Sequence, residues 1–149
     1  MQLSLHSDYA LRVLIYLGTD PDRIVSTREM SEAYGISKHH LVRVVQTLGE
    51  YGYVALLPGR AGGVRLAMDP EHVRLGDVVR RTEINLDLVE CFDAKTNTCP
   101  IIRSCGLKRL LADALDAFVD SLNQHTLADI LKPGRRARLA SAFIALREL

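Results

Sequence analysis

The sequence predicts a mainly α fold, with one small β-hairpin in its first half and one long helix in its second. Three observations carry that prediction. Apolar residues recur at helical spacing through most of the chain. Two helix starts, at Ser26 and Ser37, lie on either side of the Gly-containing turn Tyr34-Gly35-Ile36-Ser37. Two strand-like runs, 53–57 and 64–66, are separated by Pro58-Gly59-Arg60-Ala61-Gly62-Gly63. Two helices joined by a short Gly turn and followed by a hairpin make a winged helix-turn-helix.

Each element follows in order. Leu11, Leu14 and Ile15 place a first amphipathic helix over residues 8–18, with Ser7 or Asp8 available as its N-cap, and Asp20-Pro21-Asp22 ends it. Ser26-Thr27-Arg28-Glu29 reads as a capping box opening a short helix that stops at Gly35. Ser37 caps the next helix, whose stripe Leu41, Val44, Val45 and Leu48 faces a core while Lys38, His39, Arg43 and Gln46 fall on the other side. The hairpin is the wing. After Asp69-Pro70, residues 74–82 are helix-like through Leu75, Val78 and Val79. From Gly106 onward Leu107, Leu110, Leu111, Leu115, Phe118, Val119 and Leu122 hold helical spacing for about four turns, more apolar stripe than a lone surface helix needs, so a partner chain is expected to cover it. The expected division is residues 1–70 as the winged helix-turn-helix, 71–106 as a connecting helix and cysteine loop, and 107–149 as a dimerisation helix and tail. The tail from Arg135 could be a helix packed on a dimer or a disordered end.

With 149 residues, 48% of them hydrophobic, the chain supports one domain of ordinary size. The start Met1-Gln2-Leu3-Ser4-Leu5-His6 has neither a basic region nor a long apolar run, so the expected location is the cytoplasm. A net charge of +1, from 19 basic and 18 acidic residues, means that any nucleic-acid contact is local. The absence of Trp and the few aromatic residues argue against a base-stacking single-strand binder. No nucleophile elbow, phosphate loop, zinc-protease motif or dinucleotide fingerprint is present, and an enzyme is not expected.

Candidate DNA contacts are Ser37, Lys38, His39 and His40 in the first turn of the second helix of the pair, and Arg43 one turn on. Arg28 in the preceding helix joins them. Arg60 sits in the wing's glycine tip, where a guanidinium could enter a narrow minor groove. His39 and His40 point about 100 degrees apart on a helix and are not a metal pair. His125, at a helix junction, reads as a hydrogen-bonding residue.

The only cysteines form Cys91-x7-Cys99-x5-Cys105 in an irregular stretch between two helices. Thiolates are soft ligands for iron-sulfur clusters, zinc or copper, and one loop can wrap three of them around one centre. Neither gap is the tight knuckle of a structural zinc site, which places zinc below iron-sulfur. A thiol switch, with Cys99 and Cys105 forming a disulfide under oxidants, and inert cysteines are the other readings.

Asp8-Tyr9-Ala10-Leu11-Arg12, Ile36-Ser37, the wing from Gly59 to Leu66 and the three cysteines together resemble the family of bacterial winged-helix iron-sulfur repressors, and most of all its nitric-oxide-sensing members. The resemblance runs to about Leu131. It implies a homodimer on double-stranded operator DNA, an iron-sulfur cluster held by Cys91, Cys99 and Cys105, with [4Fe-4S] favoured over [2Fe-2S], and release of the operator when nitric oxide nitrosylates the cluster. Relatives that govern cluster assembly carry a histidine ligand three residues after the last cysteine. Lys108 stands there in this chain, and an ammonium group has no lone pair for iron. In the nitric-oxide sensors the fourth ligand is a carboxylate from the first helix of the other subunit, a position that matches Asp8.

Overall fold

The computed structural model describes residues 2–147. Met1, at the start of the opening segment, and Glu148 and Leu149, at the end of the tail, lie outside the described residues. The first helix, α1 (Leu5–Gly18), begins earlier than its apolar stripe suggests, because Ser4 is the N-cap and its hydroxyl accepts the Ser7 N–H at 3.2 Å. Neither Ser7 nor Asp8 caps it. Ser7 is instead buried, with its hydroxyl 2.8 Å from that of Thr82, and Asp8 lies inside the first turn, free to reach along the helix.

Helix α2 (Thr27–Tyr34) is capped by Ser26, which accepts the Glu29 N–H at 3.1 Å. The Glu29 carboxylate is drawn away from the expected box by Arg23, which grips it at 2.8 and 2.9 Å, and by the Tyr16 hydroxyl at 2.7 Å. Gly35 ends α2 at φ 63°, a left-handed backbone that a side chain would strain. Helix α3 (Lys38–Glu50) follows, with the Ser37 hydroxyl accepting the His40 N–H. Leu41, Val44, Val45 and Leu48 on α3 are buried with Ala10, Val13, Leu14 and Leu17 of α1 and Met30 of α2. Each fully buried Leu contributes roughly 1.5–3 kcal/mol of transfer free energy, so this apolar seam holds the three helices together.

Strands β1 (Val54–Leu57) and β2 (Gly63–Leu66) pair antiparallel, with Val54 opposite Leu66 and Leu57 opposite Gly63. Val25, just ahead of α2, exchanges two backbone hydrogen bonds of 2.8 Å with Val64. The wing is thereby tied to the helix-turn-helix. A 3₁₀ turn (Pro70–His72) leads into α4 (Leu75–Thr82), whose Val78 and Val79 are buried, and a second 3₁₀ turn (Glu90–Phe92) opens the cysteine segment.

The long helix is α5 (Leu107–Asn123), and it crosses α4 closely. A Cβ on Gly76 would lie 2.4 Å from the Val119 carbonyl oxygen and 2.5 Å from the Asn123 side-chain oxygen, so only glycine permits this approach. Asn123 closes the joint by accepting the Asp77 N–H at 2.8 Å and donating to the Asp77 carboxylate at 3.0 Å. Val119 is the one buried residue of α5, while Leu107 and Leu110 are 55% and 64% exposed.

Helix α6 (Leu127–Ile130) and helix α7 (Pro133–Arg147) fold back over α1 and α2. Phe143 is buried, with ring centroids 4.5 Å from Tyr16 and 5.4 Å from Tyr34, and Arg136 donates to the Thr19 carbonyl at 2.8 Å. The described part of the tail is therefore a helix packed on its own chain. No helix among the described residues is long and apolar enough to cross a membrane.

Candidate cysteine-lined cofactor site and nucleic-acid interface

Cys91, Cys99 and Cys105 are free, half-buried, and line one half-open cavity of about 220 Å³. Val89, Ile101 and Leu107 give it an aliphatic rim, and Glu90 and Lys108 complete it. The backbone holds the loop through local turns. The Asp93 carboxylate accepts from Lys95 N at 2.8 Å and from the Thr96 hydroxyl at 3.0 Å, and the Asn97 side chain accepts the Cys99 N–H at 3.1 Å. One contact spans the loop: Oε1 of Glu90 accepts both the backbone N–H and the hydroxyl of Thr98. Those two donors hold the Glu90 carboxyl below its ordinary range.

Among the described residues, no group of three or more His, Cys, Asp or Glu side chains is set to hold a single metal ion. The donor set instead suits a larger soft centre. Three sulfurs around one shared cavity with an aliphatic rim fit an iron-sulfur cluster, in which several irons spread the ligands apart. Cys91, Cys99 and Cys105 would hold it.

Asp8 does not line the cavity of its own chain. Its carboxylate is held by Arg12 through two contacts, Nε to Oδ1 at 3.1 Å and Nη2 to Oδ2 at 2.7 Å, with both side chains partly exposed. That pairing keeps the Arg12 guanidinium protonated more firmly than usual. Arg12 also lies 5.8 Å from the Tyr9 ring centroid and 6.0 Å from that of Tyr34, and its carbonyl accepts the Tyr34 hydroxyl at 3.0 Å. Burial pushes the Tyr34 phenol up, so it remains a donor to that carbonyl at neutral pH. The sequence reading named Arg12 but missed its pairing with Asp8, although acid and base four residues apart on a helix are a recognisable signal.

The candidate DNA contacts sit on three elements, α2, the start of α3 and the wing. Ser37, Lys38, His39, His40 and Arg43 are all exposed, at the start of α3 and one turn along it. Lys38 and Arg43 make no hydrogen bond or ion pair among the described residues, which leaves them available to phosphate. The His40 ring stands 6.2 Å from Tyr9 and 6.3 Å from His39. Arg28 is exposed but paired with Glu32 at 2.8 Å. Arg60 is exposed at the wing tip and makes no ion pair among the described residues. The free amides at the start of α3 add a site for phosphate.

A helix-turn-helix whose second helix carries an exposed basic face, with a wing anchored beside it, is the architecture of a winged-helix DNA-binding transcriptional regulator. The chain belongs to the Rrf2 family of iron-dependent transcriptional regulators, whose model matches residues 3–133. It is 47% identical over 133 residues to the HTH-type transcriptional regulator NsrR of Bacillus subtilis strain 168, covering 89% of this chain and 91% of that one. It is 45% identical over 142 residues to NsrR of Geobacillus kaustophilus, covering 95% of each. Among solved structures, IscR of T. potens superposes with TM-score 0.71 at 23% identity over 92% of this chain and 90% of that one. CymR of B. subtilis, a global cysteine regulator, superposes with TM-score 0.66 at 24% identity over 87% and 95%. These two likenesses establish the fold. The role of the relatives is regulatory and non-enzymatic.

Proposed function

We propose that the chain is a homodimeric repressor that senses nitric oxide through an iron-sulfur cluster, [4Fe-4S] in preference to [2Fe-2S], and releases operator DNA when the gas reacts with it. The observation that carries this reading is the shared cavity of Cys91, Cys99 and Cys105. The 45–47% identity to NsrR proteins over almost the whole chain supports it.

In this proposal the exposed apolar face of α5 meets its counterpart in a second copy, giving two readers related by a two-fold axis, as a near-palindromic operator requires. Lys38, His39, His40 and Arg43 contact bases and phosphates, Ser37 contributes through its cap, and Arg28 and Arg60 touch the backbone and the minor groove. The cluster, when bound, supplies an iron centre that reacts with nitric oxide. Cys91, Cys99 and Cys105 of one chain would hold it, and Asp8 of the partner subunit would complete the set. Asp8 stands at the start of α1, packed against the reader, so the grip links the cysteine loop to the position of α3. When it fails, Asp8 pairs with Arg12, and the loop, which has no buried side chain, is released. Ligand contacts that differ between the two states supply the shift in DNA affinity.

The test is anaerobic purification followed by a nitric oxide titration, with visible absorbance and operator binding read together. Coloured, iron-containing protein that loses DNA as the colour changes is expected. Colourless protein with unchanged binding would overturn the reading, and a nitric-oxide-insensitive protein whose binding follows Cys99–Cys105 oxidation would replace it with a thiol switch.

A further inference from the structure

Glu90 and Thr98 immediately precede Cys91 and Cys99, and they are joined through a single oxygen. Oε1 of Glu90 accepts the Thr98 N–H and also the Thr98 hydroxyl, the latter at 2.7 Å. The other side-chain bonds of the loop are local, spanning two or three residues, whereas this pair bridges eight positions. Glu90 also lines the cavity that the three thiols share.

An acid beside three thiolates is electrostatically unfavourable, since like charges in one site resist ionisation together. Its presence calls for a compensating function. Lys108 in the same lining offsets part of the charge, and the two Thr98 donors engage the carboxylate directly. With no fully buried residue between Thr82 and Val119, the loop has no apolar core of its own to fix Cys91 relative to Cys99. A charge-assisted clasp at the neck of the loop does so.

Resting on the cluster reading above, we infer that Glu90 is a positioning residue: by clasping Thr98 it holds Cys91 and Cys99 at the separation that the cluster needs, and it is not itself a ligand. Partners that orient metal ligands in this way are commonly worth a factor of ten or more in metal retention.

The experiment compares wild type with Glu90→Ala, Glu90→Gln, Thr98→Val and the Glu90→Ala/Thr98→Val double variant. Cluster lifetime after anaerobic reconstitution is read by iron content and visible absorbance. Exchange of the Thr98 amide proton is read in the cluster-free protein. Glu90→Ala should shorten the lifetime about tenfold and speed Thr98 amide exchange. Glu90→Gln keeps an acceptor oxygen and should recover most of both. Thr98→Val removes one of two donors and should fall between, and the double variant should be no worse than Glu90→Ala, as expected of two residues acting through one contact. Wild type that takes up no iron overturns the cluster reading, while the Thr98 amide still reports on the clasp. Wild type that loads iron beside a Glu90→Ala variant of equal lifetime overturns the clasp alone. Additive losses in the double variant would show that Glu90 and Thr98 act independently and overturn the clasp.

Discussion

In the helix-turn-helix, Leu41, Val44, Val45 and Leu48 are sealed beneath α1, whereas between Thr82 and Val119 not one residue is fully buried. The first region is closed by apolar contact, which is non-directional and cumulative. The cysteine segment is closed by individual hydrogen bonds to Thr98, Lys95, Thr96 and Cys99, each of which competes with water. Regions with few buried contacts are the ones that open at low cost. The contrast separates a part that keeps its shape from a part that opens at low cost.

The comparison can be broken most forcefully from the body. Leu48→Ala removes a side chain with no solvent exposure in the last turn of α3 and should cost about 4 kcal/mol in urea unfolding. A loss below about 1 kcal/mol would mean that burial does not hold the reader. Phe143→Ala comes next. It empties the aromatic nest formed with Tyr16 and Tyr34 and should cost about 3 kcal/mol, with operator affinity falling as α7 loosens from α1 and α2. Replacing all three cysteines by serine sharpens the other side of the contrast. Cluster-free stability should move by no more than about 0.5 kcal/mol, because none is buried, while iron binding is abolished. A large drop in cluster-free melting temperature would place the segment in the core after all. The smallest effect concerns pH. The Asp129 carboxyl is held below its ordinary range chiefly by the Thr126 N–H, so its contribution is present above the unfolded carboxylate pKa and fades as pH falls through the depressed value. Asp129→Asn should therefore flatten the acid limb of the stability curve slightly, and an unchanged limb would remove this cap from the account.

Much of the body was legible in the sequence because its signals are local. Ser26 and Ser37 cap where their spacing to the apolar stripe places them, and the two strand runs flank a wing tip rich in glycine. The start of α1 was misplaced because Ser4, Ser7 and Asp8 are all acceptable caps, and the choice rests on Ser7 being needed 75 positions away at Thr82. The capping-box reading of Glu29 failed for a similar reason, since Arg23 and Tyr16 outbid a single amide. The place of α7 was illegible because it depends on Phe143 meeting two tyrosines more than 100 residues earlier. In the candidate site, cysteine spacing marked out the loop whose three thiols share one cavity, but Glu90 reaching Thr98 has no periodic signature, and that Lys108 lines the same cavity is visible only in the fold.

The bare Cα of Gly76 under Val119 turns α5 into a lever. From that fulcrum to Leu107, beside the last cysteine, the helix runs about 18 Å at 1.5 Å per residue. With Asn123 bolted to Asp77 the two helices have no room to slip, so a rotation of α4 by about 10 degrees would swing the far end of α5 by roughly 3 Å. The gearing also runs in reverse: a shift of atomic dimensions near Cys105 turns α4 through a comparable angle.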